Sequence, residues 1–299
     1  MSKHIVAVLC EGPHDTAFLN KILKTDGYKQ AENVSLGSYP SPMSGLLIQQ
    51  AKEADVANLN LQEVRRQLLP MHVLEKENVF LFLFSLGGDK KPEPREYLLS
   101  KFRQFSLSTI NPKRIRVDKT GDANRYSLLY FWDADEKGTS ARIDAINREI
   151  DKALGITDKL QLHDSGDIQS VDGLQLGCYV FTEKGTNKGK LESILLPLMQ
   201  KENEAIFESA EDFLTQYHSA QRLKKLKIQV QDDGSVIEKR KNHHKFDFQK
   251  SLIGTVGQLQ LSGSSNTVCI NHSDYLTLGK IGSDPSCQEI IHFFRNATA

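Results

Sequence analysis

No apolar run in this chain approaches the roughly 20 residues that a membrane-crossing helix needs. The run at residues 5–10 is also too short for the core of a signal peptide. Cysteine is sparse: Cys10, Cys178, Cys269 and Cys287 stand far apart with no C-x-x-C spacing. That excludes a zinc ribbon, a redox dithiol and a disulfide framework. Cys10 and Cys178 lie in apolar runs, the usual place for a small buried thiol. A reducing cytoplasm fits this usage, and neither secretion nor a membrane partner is expected.

Net charge is missing too, because 38 Lys and Arg balance 38 Asp and Glu. No global field draws the chain to a polyanion, so any such site must be local. Internal repeats and long low-complexity tracts are absent. A phosphate-binding P-loop is absent as well: Gly185-Thr186-Asn187-Lys188-Gly189-Lys190-Leu191 has the wrong spacing and lacks the hydroxyl residue that would hold Mg²⁺. An ATPase, if one is involved, is a separate polypeptide partner.

What is present is an ordinary globular composition, 39% hydrophobic and 25% charged over 299 residues, enough for one large α/β domain or two smaller ones. Two stretches are locally basic. Residues 222–250 carry nine Lys or Arg against four acids, and residues 89–125 carry ten against five. Lys239, Arg240, Lys241 and Lys245 are the candidates there for contact with nucleic-acid phosphates, and the adjacent His243 and His244 read as a solvated loop.

Four apolar runs without strict alternation, at residues 4–10, 79–86, 127–132 and 176–182, read as strands covered on both faces. Between them lie helical spacings. Pro13 starts one helix with Phe18, Leu19, Ile22 and Leu23 as its stripe and Gly27 as its stop. Ile143, Ile146, Ile150 and Leu154 mark another, ended by Gly155. Alternation of strand and helix implies a mostly parallel, Rossmann-like sheet of about four strands flanked by helices. Residues 31–75 read as an insertion, turn-rich at 37–42 and then helical over 45–69. From about residue 203 the pattern changes to a helix, a hairpin at 227–241, a helix at 246–261 and a terminal helix near 285–294. The expected division is therefore an α/β domain over 1–202 and a C-terminal α+β appendage over 203–299.

Open α/β sheets bind ligands beyond the carboxyl ends of their strands. Glu11 ends the first run, and Asp133 and Asp135 end the third. Side chains two apart on an extended backbone point the same way, so both aspartates can meet one cation while Ala134 faces away. Hard cations are held by such carboxylates with water and phosphate oxygens. The structural alternative is that Asp133 or Asp135 caps the helix that follows. Asp15 in the first turn after Pro13 has the same two readings, whereas Glu11 has little structural duty because Gly12 can serve as the cap. His14 reads as solvated and able to contact phosphate. Trp132 reads as sheet core.

An apolar strand ending Glu11-Gly12-x-x-Asp15, a glycine turn Leu86-Gly87-Gly88-Asp89 after the second strand and Asp133-x-Asp135 after the third resemble the Toprim domain of topoisomerases, bacterial primases and overcoming-lysogenization-defect nucleases. The resemblance covers roughly residues 3–200, interrupted by the insertion. It implies a Mg²⁺ (or Mn²⁺) centre on Glu11, Asp133 and Asp135, with Asp15 and Glu192 able to complete a second metal position. The nuclease branch also implies a catalytic lysine, for which Lys250 or Lys245 is available. Topoisomerases need a tyrosine on a large gate domain and primases a zinc module, and this chain has room or residues for neither.

The function that follows is metal-dependent phosphodiester chemistry on nucleic acid, as a Toprim-type nuclease and hydrolase. One alternative is a Toprim-like module that binds metal or nucleic acid, or docks on a partner ATPase, without turnover. Another is a phosphatase of the haloacid dehalogenase type, for which the spacing to Thr139 is too long by two residues and Glu11 has no role.

Overall fold

The computed structural model describes residues 2–53, 68–88, 91–110, 124–156, 160–219, 225–241 and 246–299. Two compact units divide the chain: Met1–Leu195 with Leu276–Ala299, and Leu196–Tyr275.

The first unit is built on a seven-stranded mixed sheet. Its strands are β1 (His4–Cys10), β2 (Lys29–Gln30), β3 (His72–Lys76), β4 (Val79–Ser85), β5 (Arg125–Asp133), β6 (Ile168–Val171) and β7 (Leu174–Phe181), in the order β2-β3-β4-β1-β5-β7-β6. The inner four, β4-β1-β5-β7, are all parallel. They are the four apolar runs expected from the sequence. β2, β3 and β6 add antiparallel edges, so the sheet exceeds the expected four strands. Edge strands lie half in solvent and carry mixed residues, as in His72-Val73-Leu74-Glu75-Lys76, so they lack the continuous apolar signal.

Every residue of β1 is buried. Its two faces pack against different helices. Ile5, Ala7 and Leu9 share a core with Leu46 of α2 (Met43–Glu53), Leu98 and Phe102 of α3 (Glu93–Ile110) and Ile143, Ile146 and Ile150 of α4 (Thr139–Leu154). On the other face lie α1 (Pro13–Thr25) and two helices from the far end of the chain. α5 (Leu191–Gln200) follows β7 and α6 (Glu204–Tyr217) follows α5. After α7 (Phe248–Gln260) and α8 (Asn266–His272), the chain returns to the first unit as α9 (Leu278–Ser283) and α10 (Pro285–Thr298). The Phe294 ring of α10 stacks on Phe131 of β5 at 5.1 Å, with Phe293 edge-on at 5.6 Å. Residues 276–299 are thus part of the first unit and not of a C-terminal appendage, and the first division falls at Leu195, not residue 202.

The second unit holds α6, the antiparallel hairpin β8 (Lys225–Val230) and β9 (Val236–Lys241), α7 and α8. Within the segment 31–75, residues 43–53 form α2 and residues 72–76 belong to the sheet as β3, and the 54–67 part of the helical segment expected over 45–69 lies outside the described residues. Among the described residues no helix is long and apolar enough to cross a membrane.

Candidate active site

β1 delivers Glu11 to the carboxyl edge of the sheet. Gly12 caps α1 in an extended conformation with Pro13 at its first position, and Asp15 Oδ2 accepts the Gly12 N–H at 2.7 Å. Asp15 is therefore engaged at the helix start, while its side chain is buried beside the other acids.

The loop after β4 prolongs the pairing with β1. Leu86 and Gly87 donate their N–H groups to the carbonyls of Cys10 and Glu11, each at 2.9 Å. This brings Gly88 so near Glu11 that a Cβ there would lie 2.9 Å from Oε2. Arg95 of α3 fixes the turn from below. Its guanidinium donates to the Gly87 carbonyl at 2.7 Å and, through Nε and Nη2, to both Glu149 oxygens of α4 at 2.8–3.1 Å. Tyr130 O–H also donates to Glu149, at 2.9 Å. A buried ion pair keeps its value only when its lone pairs and protons are satisfied, as they are here. Asp89 of this turn lies outside the described residues.

β5 ends at Asp133, whose N–H donates to Glu11 Oε1 at 3.3 Å and whose Oδ1 accepts the N–H of Leu191, the first residue of α5, at 2.8 Å. The extended backbone stops there. Asp135 has φ +49° and forms an isolated bridge to Gly189, so the two-residue repeat expected to align its carboxylate with Asp133 does not reach it. Gly189, at φ +121°, is required: a Cβ would come within 2.4 Å of the Glu183 nitrogen. Neither aspartate caps α4, whose cap is Gly138.

Arg142, one turn into α4 and almost wholly buried, places Nη2 against Asp135 Oδ2 and 4.0 Å from Glu11 Oε1. Its guanidinium and that of Arg95 both lie over the Trp132 ring, at 5.6 and 4.9 Å, so Trp132 is core as expected and also a cation platform. Glu192, in the first turn of α5, is buried and meets His14 Nδ1 at 3.3 Å. His14 is accordingly turned toward the acids and only 18% exposed, not solvated.

The structure thus groups Glu11, Asp15, Asp133, Asp135 and Glu192 at one edge. Burial pushes the Asp133 carboxyl up to about 7, opposed by the Leu191 N–H and reinforced by Glu11, Glu192 and Asp135. Burial, then the neighbouring Asp133, raises Asp15 well above the usual carboxylate range. The Cys10 thiol is raised first by burial and then by Asp15 and Glu11. A cleft of about 830 Å³ opens beside Glu11, bordered by Ser85, Gly87, Lys91 and Tyr97.

Carboxylate oxygens in a field of like charge are the donor chemistry that Mg²⁺ or Mn²⁺ takes. Yet among the described residues no three His, Cys, Asp or Glu side chains converge as a metal-holding group. The reason is visible in the hydrogen bonds: Asp135 is turned to Arg142, Asp133 to Leu191 and Asp15 to Gly12. The donor set is of the chemical type a hard cation takes, but as it stands these oxygens are committed to Gly12, Leu191 and Arg142.

Lys250, Lys239, Arg240 and Lys241 belong to the second unit, where Lys250 sits in the first turn of α7 with its N–H bonded to Asp247 Oδ1 at 3.0 Å. Lys245 lies outside the described residues. Arg95, Arg142 and Glu149 went unnoticed in the sequence, because charged residues spaced along amphipathic helices look like solvated faces; only their helical register with Trp132 and the turn carries the signal.

The chain matches no protein-family model and no curated protein. A solved structure described as a hypothetical protein from Pyrococcus horikoshii OT3 aligns with 99% of this chain and 95% of its own at 15% identity and a TM-score of 0.46, a likeness that identifies no function.

Proposed function

We propose that the carboxyl edge of the sheet carries out divalent-cation-dependent phosphodiester chemistry on nucleic acid, as a Toprim-type nuclease. The observation that carries this reading is the crowding of five acids beyond the ends of parallel strands, where burial first, and then the charges of Glu11, Glu192 and Asp135, raise Asp133 to about 7. Such crowding costs stability without a cation, and carboxylates perturbed by burial and by neighbouring acids are candidates for functional groups. The placement of Glu11 after β1 and of Asp133 after the neighbouring β5 agrees with what the Toprim resemblance implies.

Asp133 and Asp135 would hold Mg²⁺ or Mn²⁺, with Glu11, Asp15 and Glu192 available for a second position or for the attacking water. Bound there, the ion supplies Lewis-acid stabilisation of the leaving oxygen and a water of lowered pKa. Arg142 holds Asp135 and keeps positive charge beside Glu11. His14 orients Glu192. The Arg95–Glu149 pair keeps the Gly87–Gly88 backbone against Glu11, leaving the cleft side open to a nucleotide. The lysine that the Toprim resemblance implies for offsetting charge in the transition state is proposed from the sequence alone, as Lys245 or Lys250.

Asp133→Asn keeps the acceptor for Leu191 but removes the charge. Metal-dependent nicking of supercoiled plasmid by the variant should fall roughly 100-fold or more, the order that losing a charge-stabilising group costs, with an unchanged near-ultraviolet circular dichroism spectrum. Equal nicking by both proteins refutes the assignment.

A second reading draws on one observation, that the acid oxygens are engaged by Arg142 and by backbone N–H groups. Under it the same edge binds metal or nucleic acid, or docks on a separate ATPase, without turnover. Mg²⁺-dependent binding with no cleavage of any DNA or RNA favours this reading over the enzyme.

A further inference from the structure

The second unit presents a two-stranded ribbon with two chemically distinct faces. β8 and β9 pair in the register Lys225↔Lys241, Leu226↔Arg240, Lys227↔Lys239, Ile228↔Glu238, Gln229↔Ile237 and Val230↔Val236. Directly opposed residues share a face, and the faces alternate. One face therefore holds Lys227 with Lys239 and Gln229 with Ile237, and the Lys225↔Lys241 register position belongs to it. The other holds Leu226, Ile228, Val230 and Val236 with Glu238 and Arg240. The run Lys239-Arg240-Lys241, continuous in sequence, is split by the pleat, and Arg240 pairs with Glu238 at 3.0 Å on the opposite side.

A like-charged pair directly opposed across a ladder, as Lys227 and Lys239 are, destabilises it. Lys227 and Lys239 are exposed, and neither has an ion-pair partner among the described residues. Most of the ribbon is exposed on both faces, and a hairpin without a covering layer is marginal by itself. We propose that the lysine face of the β8–β9 ribbon grips the phosphodiester backbone of nucleic acid by charge, without reading base sequence. A polyanion supplies the countercharge that the opposed lysines lack. Lysine, a flexible point charge, suits phosphate contact more than base readout. An anionic membrane offers the same charge, but with the lysine face on the headgroups the apolar face, which lies opposite, would point away from the acyl chains and add no burial. The inference rests on the nucleic-acid reading for its choice of polyanion, and not on turnover at the carboxylates.

The test uses the full chain, fluorescently labelled short DNA duplexes of two unrelated sequences, EDTA and a series of NaCl concentrations. Wild type should bind both duplexes alike. The double variant Lys227→Gln with Lys239→Gln should bind about tenfold more weakly at low salt and show a slope of log affinity against log salt shallower by about 2. Arg240→Gln should leave that slope nearly unaltered. An unchanged slope in the double variant overturns the proposal, as does binding to phosphatidylserine vesicles with none to duplex. Wild type that nicks plasmid while the double variant keeps its slope sinks this proposal and spares the nuclease. A lysine-dependent slope without nicking does the reverse.

Discussion

At the amino ends of β1, β5 and β7, His4, Ser127 and Gln175 form a hydrogen-bonded chain. His4 Nε2 meets Ser127 Oγ at 2.7 Å, and Ser127 donates to Gln175 Oε1 at 2.8 Å. At the carboxyl ends of β1 and β5, Glu11 and Asp133 crowd together with Asp15 and Glu192. Both ends bury polar groups, but one links them in a hydrogen-bonded chain that leaves His4 Nδ1 over, and the other accumulates like charge. Such a chain across neighbouring strands explains itself as part of the sheet. Crowded carboxylates do not, since nothing in the fold requires five acids there, and that contrast directs the functional assignment to the carboxyl edge.

The two ends should answer pH with opposite signs. Asp133, at about 7 when folded against an ordinary 3.8, contributes stability that is full below pH 4 and is lost as pH rises through 7, about 4 kcal/mol in all. Asp133→Asn should therefore be more stable than wild type in urea at pH 7.5 without divalent cation, by up to that amount. Saturating Mg²⁺ should stabilise wild type and leave the variant nearly unmoved. A variant less stable than wild type would show that the crowding carries no cost and erase the contrast.

His4 is lowered to about 4 by burial and by Arg125, against an ordinary 6.5. Its neutral form supports the fold above pH 6.5, and that support is lost as pH falls through 4, about 3 kcal/mol in all. In wild type the two trends nearly cancel between pH 4 and 6.5. His4→Gln should uncover the falling trend of the carboxyl end, and urea midpoints across that interval test it; a profile identical to wild type would mean His4 is not the opposing group. The smallest effect belongs to Gly88→Ala. Its Cβ meets only the tip of a flexible side chain, Glu11 Oε2, so stability should change by less than about 1 kcal/mol. Mn²⁺ affinity, read by calorimetry, should nevertheless fall as Glu11 is turned aside, and unaltered affinity would remove Glu11 from the cation's ligands.

The inner strands were legible because burial on both faces leaves continuous apolar runs, as in Val79-Phe80-Leu81-Phe82-Leu83-Phe84. The short edges β2 and β6 were not, for they carry exposed polar residues. Glu11 and Asp133 could be found because an acid after an apolar strand has few structural reasons to be there. The left-handed backbone of Asp135 could not, since it depends on the distant Gly189 strand-like bridge. Arg142 lies 7 residues beyond Asp135, across the start of α4, a separation that carries no sequence signal. The basic run at residues 239–241 was legible as charge but not as two faces, which only strand pairing separates. The return of α10 was hidden because an amphipathic stripe does not say which core it completes.

That return has a consequence for biogenesis. The aromatic surface around Phe131 is sealed by Phe293 and Phe294, which leave the ribosome only after the whole intervening segment of residues 196–275 has been made. A nascent chain halted before residue 285 would carry a finished sheet with a bare greasy flank, a natural client for holdase chaperones until translation resumes.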